Sequence, residues 1–142
     1  MYLIQELFDW IAARTLLAPG VDLHCGYMPV ETEGAVSVLL EQPGDPQQPT
    51  LRHNVGRYRF QVLTLGPTGS DFWAAYDRAR IIFAVTNDVA GAVLGDGTYE
   101  NEWYAEVMRA VSQPYYLGGD ERFRHEISFD ILLRARTAAL MA

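Results

Sequence analysis

The sequence predicts an α+β fold: a mostly antiparallel sheet of about four to five strands with two amphipathic helices packed on one face. Three observations predict it. Two segments carry apolar residues at helical spacing, and the runs between them alternate apolar with polar residues. The clearest alternation lies in the last third of the chain, where Phe123, His125, Ile127, Phe129, Ile131 and Leu133 share one face of a strand. Arg122, Arg124, Glu126, Ser128, Asp130 and Arg134 take the other, with Leu132 the apolar exception, so the sheet has one packed and one wet face. Thirdly, the order is helix, three strands, helix, two strands, without internal repeat or linker, which makes residues 1–142 a single domain.

The elements follow in order. Residues 2–17 read as a helix, with Leu3, Ile4, Leu7, Phe8 and Ile11 as its stripe and Glu6, Asp9 and Arg14 largely away from it. Ala18-Pro-Gly20 ends it. Val21 to Met28 suits a short strand, residues 31–34 a turn, and Ala35 to Glu41 a second strand rich in Val and Leu. Residues 42–49 hold Pro43, Pro46 and Pro49 and read as a projecting loop. In the third strand, Val55 to Leu65, the residues Tyr58, Phe60 and Val62 alternate with Arg57, Arg59 and Gln61. Gly66-Pro-Thr-Gly-Ser-Asp71 breaks it. A second helix follows to about Asp88, with Phe72, Ala75, Tyr76, Ala79 and Phe83 as its stripe, Ile82 beside them, and Asp77 spaced to pair with Arg80. Residues 89–102 read as irregular, with one short strand near Ala92–Leu94. The fourth main strand spans Trp103 to Gln113, and a turn from Pro114 to Arg122 leads into the last strand.

Composition narrows the function. The chain is acidic, at net charge −7, so its surface repels free nucleic acid, whose capture needs clustered cations. All eleven basic residues are arginine, which removes lysine Schiff-base and lysine general-base chemistry. Arginine also suits interfaces, because its planar fork binds a carboxylate at two points. Cys25 is the only cysteine, so no intrachain disulfide forms. There is no apolar run of membrane-span length, and Met1 to Leu7 lacks the basic stretch of a signal peptide.

No catalytic constellation assembles. Gly66–Asp71 sits where phosphate loops occur but lacks the Walker lysine and spacing, and Asp71 repels phosphate. His24, His53 and His125 lie in different elements, and His24 and Cys25 are adjacent on a strand, so they point to opposite faces. No zinc spacing exists, and Asp96, Glu100 and Glu102 lack the EF-hand register. The nucleophile elbow is missing. The reading is therefore neither enzyme nor metalloprotein, with no catalytic, cofactor or metal residues. What remains is surface. Arg57, Arg59 and Gln61 project from one strand face, either as ordinary solvated residues or as a contact to acidic residues of a neighbouring subunit such as Glu41 or Glu102. Trp103, Tyr104, Tyr115 and Tyr116 supply the amphipathic aromatics enriched at interfaces.

Three segments together resemble the tail terminator proteins of long-tailed bacteriophages, often labelled phage minor capsid proteins. They are Leu39-Leu-Glu-Gln-Pro-Gly-Asp-Pro46; Tyr58-Arg-Phe-Gln-Val-Leu63 followed by helix 72–88; and Pro114 to Leu133. The resemblance runs in order through most of the chain. It departs at Thr64-Leu65-Gly66 and at Gly119, where relatives often carry an arginine. It implies a virion protein without catalysis, assembled in the host cytoplasm and sited at the head-proximal end of the tail. There it forms a ring, expected to be a hexamer, that caps the tail tube and contacts both tail-tube protein and head–tail connector. Such a ring closes head to tail, two different patches meeting. Candidate contact residues are Arg57, Arg59, Gln61, Arg122, Arg124, Glu126 and Asp130. Six copies at −7 each make an acidic ring through which DNA passes without specific binding. A head-closure or adaptor ring is the alternative, and a small α+β enzyme or ligand-binding domain a more distant one.

Overall fold

The structure, a computed structural model, describes residues 3–27, 34–42, 56–69, 72–94, 103–119 and 124–137. Several expectations fall on positions outside the described residues: the turn at 31–33, the loop from Pro43 to Pro49, His53, Asp71, Asp96, Glu100, Glu102, Arg122 and Phe123. The elements in chain order are α1 (Leu3–Arg14), β1 (Leu23–Cys25), β2 (Val36–Glu41), β3 (Gly56–Leu65), α2 (Phe72–Thr86), β4 (Val89–Leu94), β5 (Trp103–Ala110), β6 (Tyr115–Gly119) and β7 (His125–Thr137).

The strands form one sheet in the order β1-β2-β3-β7-β5-β4, with β6 also on β7. β1 joins β2 in parallel and the other pairs are antiparallel. This corrects the expectation of a mostly antiparallel sheet of four to five strands: among the described residues the sheet has seven strands, is mixed, and is curled. Glycine hid β6 and the first half of β4; only Ala92–Leu94 of β4 was expected as strand. β6, Tyr-Tyr-Leu-Gly-Gly, reads as a turn, yet it pairs with the start of β7 through an irregularity at Leu117, next to Gly118 at φ +141°. The first half of β4 reads as irregular because Gly91, at φ +71°, interrupts Val-Ala-Gly-Ala-Val-Leu; a Cβ there would meet the Tyr104 hydroxyl at 3.1 Å. β7 makes the architecture possible. It pairs with β3 along most of its thirteen residues, and its other edge serves β6 first and β5 afterwards.

The curl follows from how the helices pack. α2 lies across β7, β3, β5 and β2, while α1 touches β1 and β2 near one end of the strand order and β4 at the other. A sheet whose two ends meet the same helix wraps around it. The core fills that concavity: Leu7 and Ile11 of α1, Ile82 of α2, and Leu39, Phe60, Val62, Leu94, Met108, Phe129, Ile131 and Leu133 of the sheet are buried. Phe83 and Phe129 meet edge to face at 5.6 Å between centroids. Enclosure on several sides also buries Glu6, which helical spacing alone placed away from the stripe. On the same inner face the Ser37 and Thr64 hydroxyls bond to each other at 2.7 Å, so that buried pair is satisfied.

The α1–β1 connection is tied locally. Asp22 accepts a hydrogen bond from the Ala18 amide at 3.1 Å and pairs with Arg78 of α2 at 3.3 Å. These contacts hold the Asp22 carboxyl below its ordinary value: the Ala18 amide acts most strongly and Arg78 adds to it, against the opposing effect of burial. In α2 the ion pair is therefore Arg78 with Asp22, whereas Arg80 stands over the Tyr76 ring, 5.9 Å from its centroid.

A candidate assembly interface

The outer face of the curled sheet carries the polar residues. In β3, Arg57 and Arg59 are exposed and Gln61 half-buried, while Phe60 and Val62 point inward. Cross-strand register puts Arg57 opposite Arg134, Arg59 opposite Leu132 and Gln61 opposite Asp130. Beyond β7, Leu132 lies opposite Arg109 and Arg134 opposite Val107. Two rows thus run across three strands: Arg59–Leu132–Arg109 and Arg57–Arg134–Val107.

β5 adds a carboxylate to this surface. Its register with β7 shifts between Ala105 and Val107, leaving Glu106 as the extra residue. A bulge of this kind sets two successive side chains against one partner. Glu106 accordingly reaches both outer arginines of β7, Arg134 at 3.1 Å and Arg136 at 3.7 Å, and Arg136 also stands over the Tyr104 ring at 5.3 Å.

The expected site residues are placed as follows. Arg59 and Asp130 come together within the chain: the Arg59 Nε and one terminal nitrogen both donate to Asp130 Oδ2, at 2.9 and 2.8 Å. Gln61 donates to the Ser128 hydroxyl at 3.0 Å, which donates in turn to the Val62 carbonyl at 3.1 Å. Glu126 is half-buried, opposite Leu65 of β3 and Gly118 of β6. Arg57 is exposed and makes no hydrogen bond or ion pair among the described residues; Arg109 is alike. Arg124 departs from expectation. It is 1% exposed, donating from Nε to the Gly66 carbonyl at 2.7 Å and from a terminal nitrogen to the Gly34 carbonyl at 2.9 Å. Alternation placed it on the wet face, but that face is itself buried at the β2 end, where Val36, Val38 and Leu65 are covered. Arg124 is a clamp between two loops.

Glu106, Arg109 and Arg136 belong to the same surface and were not among the expected residues. The signal for Glu106 and Arg109 was the alternation of β5, which the bulge at Glu106 throws out of phase; the signal for Arg136 was the alternation of β7, two positions beyond Arg134.

The aromatics divide. Trp103 packs edge to face on Tyr58 at 5.7 Å, against the core. Tyr116 and His125 join Phe72, Trp73 and Tyr76 in a cluster at one end of the sheet, with Trp73 67% exposed and Tyr115, Tyr116 and Leu117 about half exposed. Among the described residues, no three His, Cys, Asp or Glu side chains are grouped as a metal ion would require, and no helix is long and apolar enough to cross a membrane.

No family model and no curated protein matches the chain. Among the solved structures similar to the chain, one has 17% identity and a TM-score of 0.50, over 93% of this chain and 89% of that chain; the designation of that protein names no activity. A likeness at that identity concerns the fold.

Proposed function

We propose that the chain is a structural virion protein, a tail terminator that assembles into a ring, caps the tail tube and joins it to the head. The observation that carries the reading is the outer sheet face. On a chain of net charge −7 it presents two exposed arginines with no partner among the described residues, beside others already paired to carboxylates. Like-charged Arg57 and Arg134 stand directly opposite each other, which disfavours the isolated subunit and is relieved by an incoming carboxylate. The ordered resemblance of three segments to tail terminators supplies the biological setting. On this reading the chain acts by presenting surfaces to its neighbours, to the last ring of the tube and to the head connector.

The test is polymerisation of purified tail-tube subunits followed by electron microscopy. The proposal expects growth to stop when the chain is added, with extra density at one tube end. Unchanged tube growth together with binding to the portal complex would favour a head-closure ring instead.

A further inference from the structure

We infer that the arginine rows of one copy receive Asp9 and Glu41 of the next copy, so that adjacent subunits meet head to tail through two different patches of the same chain. This rests on the ring reading for closure and goes beyond it by naming both halves of the contact. The first half is the surface of β3, β7 and β5. Arg57, Arg59, Arg109, Arg134 and Arg136 share it, and among the described residues only Glu106 and Asp130 pair with them. Arg134 and Arg136 divide one carboxylate between them, while Arg57 and Arg109 have none among the described residues. Arg59 and Arg109 lie two strands apart with Leu132 between, roughly 10 Å at the usual strand spacing, so carboxylates can settle on either side of a half-buried leucine.

The second half lies on α1 and at the end of β2. Asp9 and Glu41 are exposed, and neither has an ion pair among the described residues. They act together on one group: the Cys25 thiol of β1 is pushed up first by burial, then by Asp9, then by Glu41. Geometry places both carboxylates near β1: α1, which carries Asp9, packs on β1 and β2, and Glu41 ends β2, which pairs with β1. β1 ends the strand order on one side, whereas the arginine rows lie beyond β2 on β3, β7 and β5. Patches of opposite sign at different places on one chain meet heterologously, as a ring requires. The occupant is a protein carboxylate rather than a nucleic acid, because Glu106 and Asp130 stand inside the rows and the chain as a whole is acidic.

The test is reciprocal charge reversal read by sedimentation velocity, without any tail component. Wild type is expected to self-associate at low ionic strength and to dissociate near about 1 M salt, where the screening length falls to ~3 Å. R57E/R109E alone, or D9R/E41R alone, places like charges face to face and is expected to weaken association by roughly a hundredfold. An equimolar mixture of the two, or one chain carrying all four changes, restores it. Because these positions are exposed, each variant is expected to keep the wild-type circular dichroism; if one does not, the fourfold variant and R57Q/R109Q provide the same comparison.

Three results would overturn the inference: association unaffected by either reversal, a wild type monomeric at every concentration, or capture of a labelled DNA duplex that R57E/R109E abolishes. Tube arrest is measured separately. Arrest with undisturbed association in the reversals removes this contact and leaves the proposed function standing; rescue by mixing without arrest does the opposite.

Discussion

The two faces of β7 are unlike, although Ser128 on the outward one is buried. Inward, Ile127, Phe129, Ile131, Leu133 and Ala135 are completely buried. Outward, Glu126, Asp130 and Leu132 are half-buried and Arg134 is exposed. One strand, alternating at period two, gives one set of residues the task of folding and leaves the other set free to meet a partner. Stability and assembly can therefore be altered separately, and substitutions on the two faces should behave oppositely.

The largest effect on stability is expected inside. Phe129→Ala removes a ring that packs on Phe83 and should cost about 3–5 kcal/mol, measured by urea unfolding. Next comes Arg124→Ala, which leaves the Gly34 and Gly66 carbonyls without that donor; about 2 kcal/mol is expected. Arg124→Lys should recover only part of the loss, since an ammonium cannot reproduce the fork. If Arg124 were an assembly contact instead, the alanine variant would keep its unfolding midpoint and lose self-association.

Asp22 gives a smaller, pH-dependent effect. Its carboxyl is lowered in the folded chain from the ordinary 3.8, so its contribution is full above that value and is lost as pH falls through the folded value. Asp22→Asn should flatten the acid side of the stability–pH curve and cost about 1 kcal/mol at neutral pH. The smallest effect on stability belongs outside. Arg59→Ala breaks an ion pair whose arginine is 48% exposed, and less than about 1 kcal/mol is expected in the same unfolding assay. A larger loss there would erase the distinction between the faces.

How far the sequence could be read depended on whether period and geometry stayed in phase. β3 and β7 alternate without interruption where they pair, so their inward residues were legible, and so was the Arg57, Arg59, Gln61 row. The helical stripes were legible for the same reason, apart from Trp10 and Thr86, which are buried beside them, and Glu6, whose burial comes from the curl of a sheet and not from α1 itself. β6 was missed, and β4 was read only as its last half, Ala92–Leu94, because Gly118 and Gly91 adopt backbone conformations that signal turns. Glu106 and Arg109 were missed because a bulge shifts the phase of β5, and Arg136 because β7 runs past Arg134, where the expected strand ended. Arg124 followed the alternation correctly and was still misjudged, since alternation names a face and cannot say which part of it is covered. The pairing of Arg59 with Asp130 required the register of two strands 71 positions apart in sequence.

The central claim is that this chain closes a ring at the end of a tail tube. It is tested most directly by counting copies of a fluorescently tagged chain on preformed tubes by single-molecule photobleaching. The account predicts one spot per tube, at one end, bleaching in several steps, as a closed ring requires, and in about six for the expected hexamer. Label spread along the tube, or a single bleaching step at the end, would contradict it.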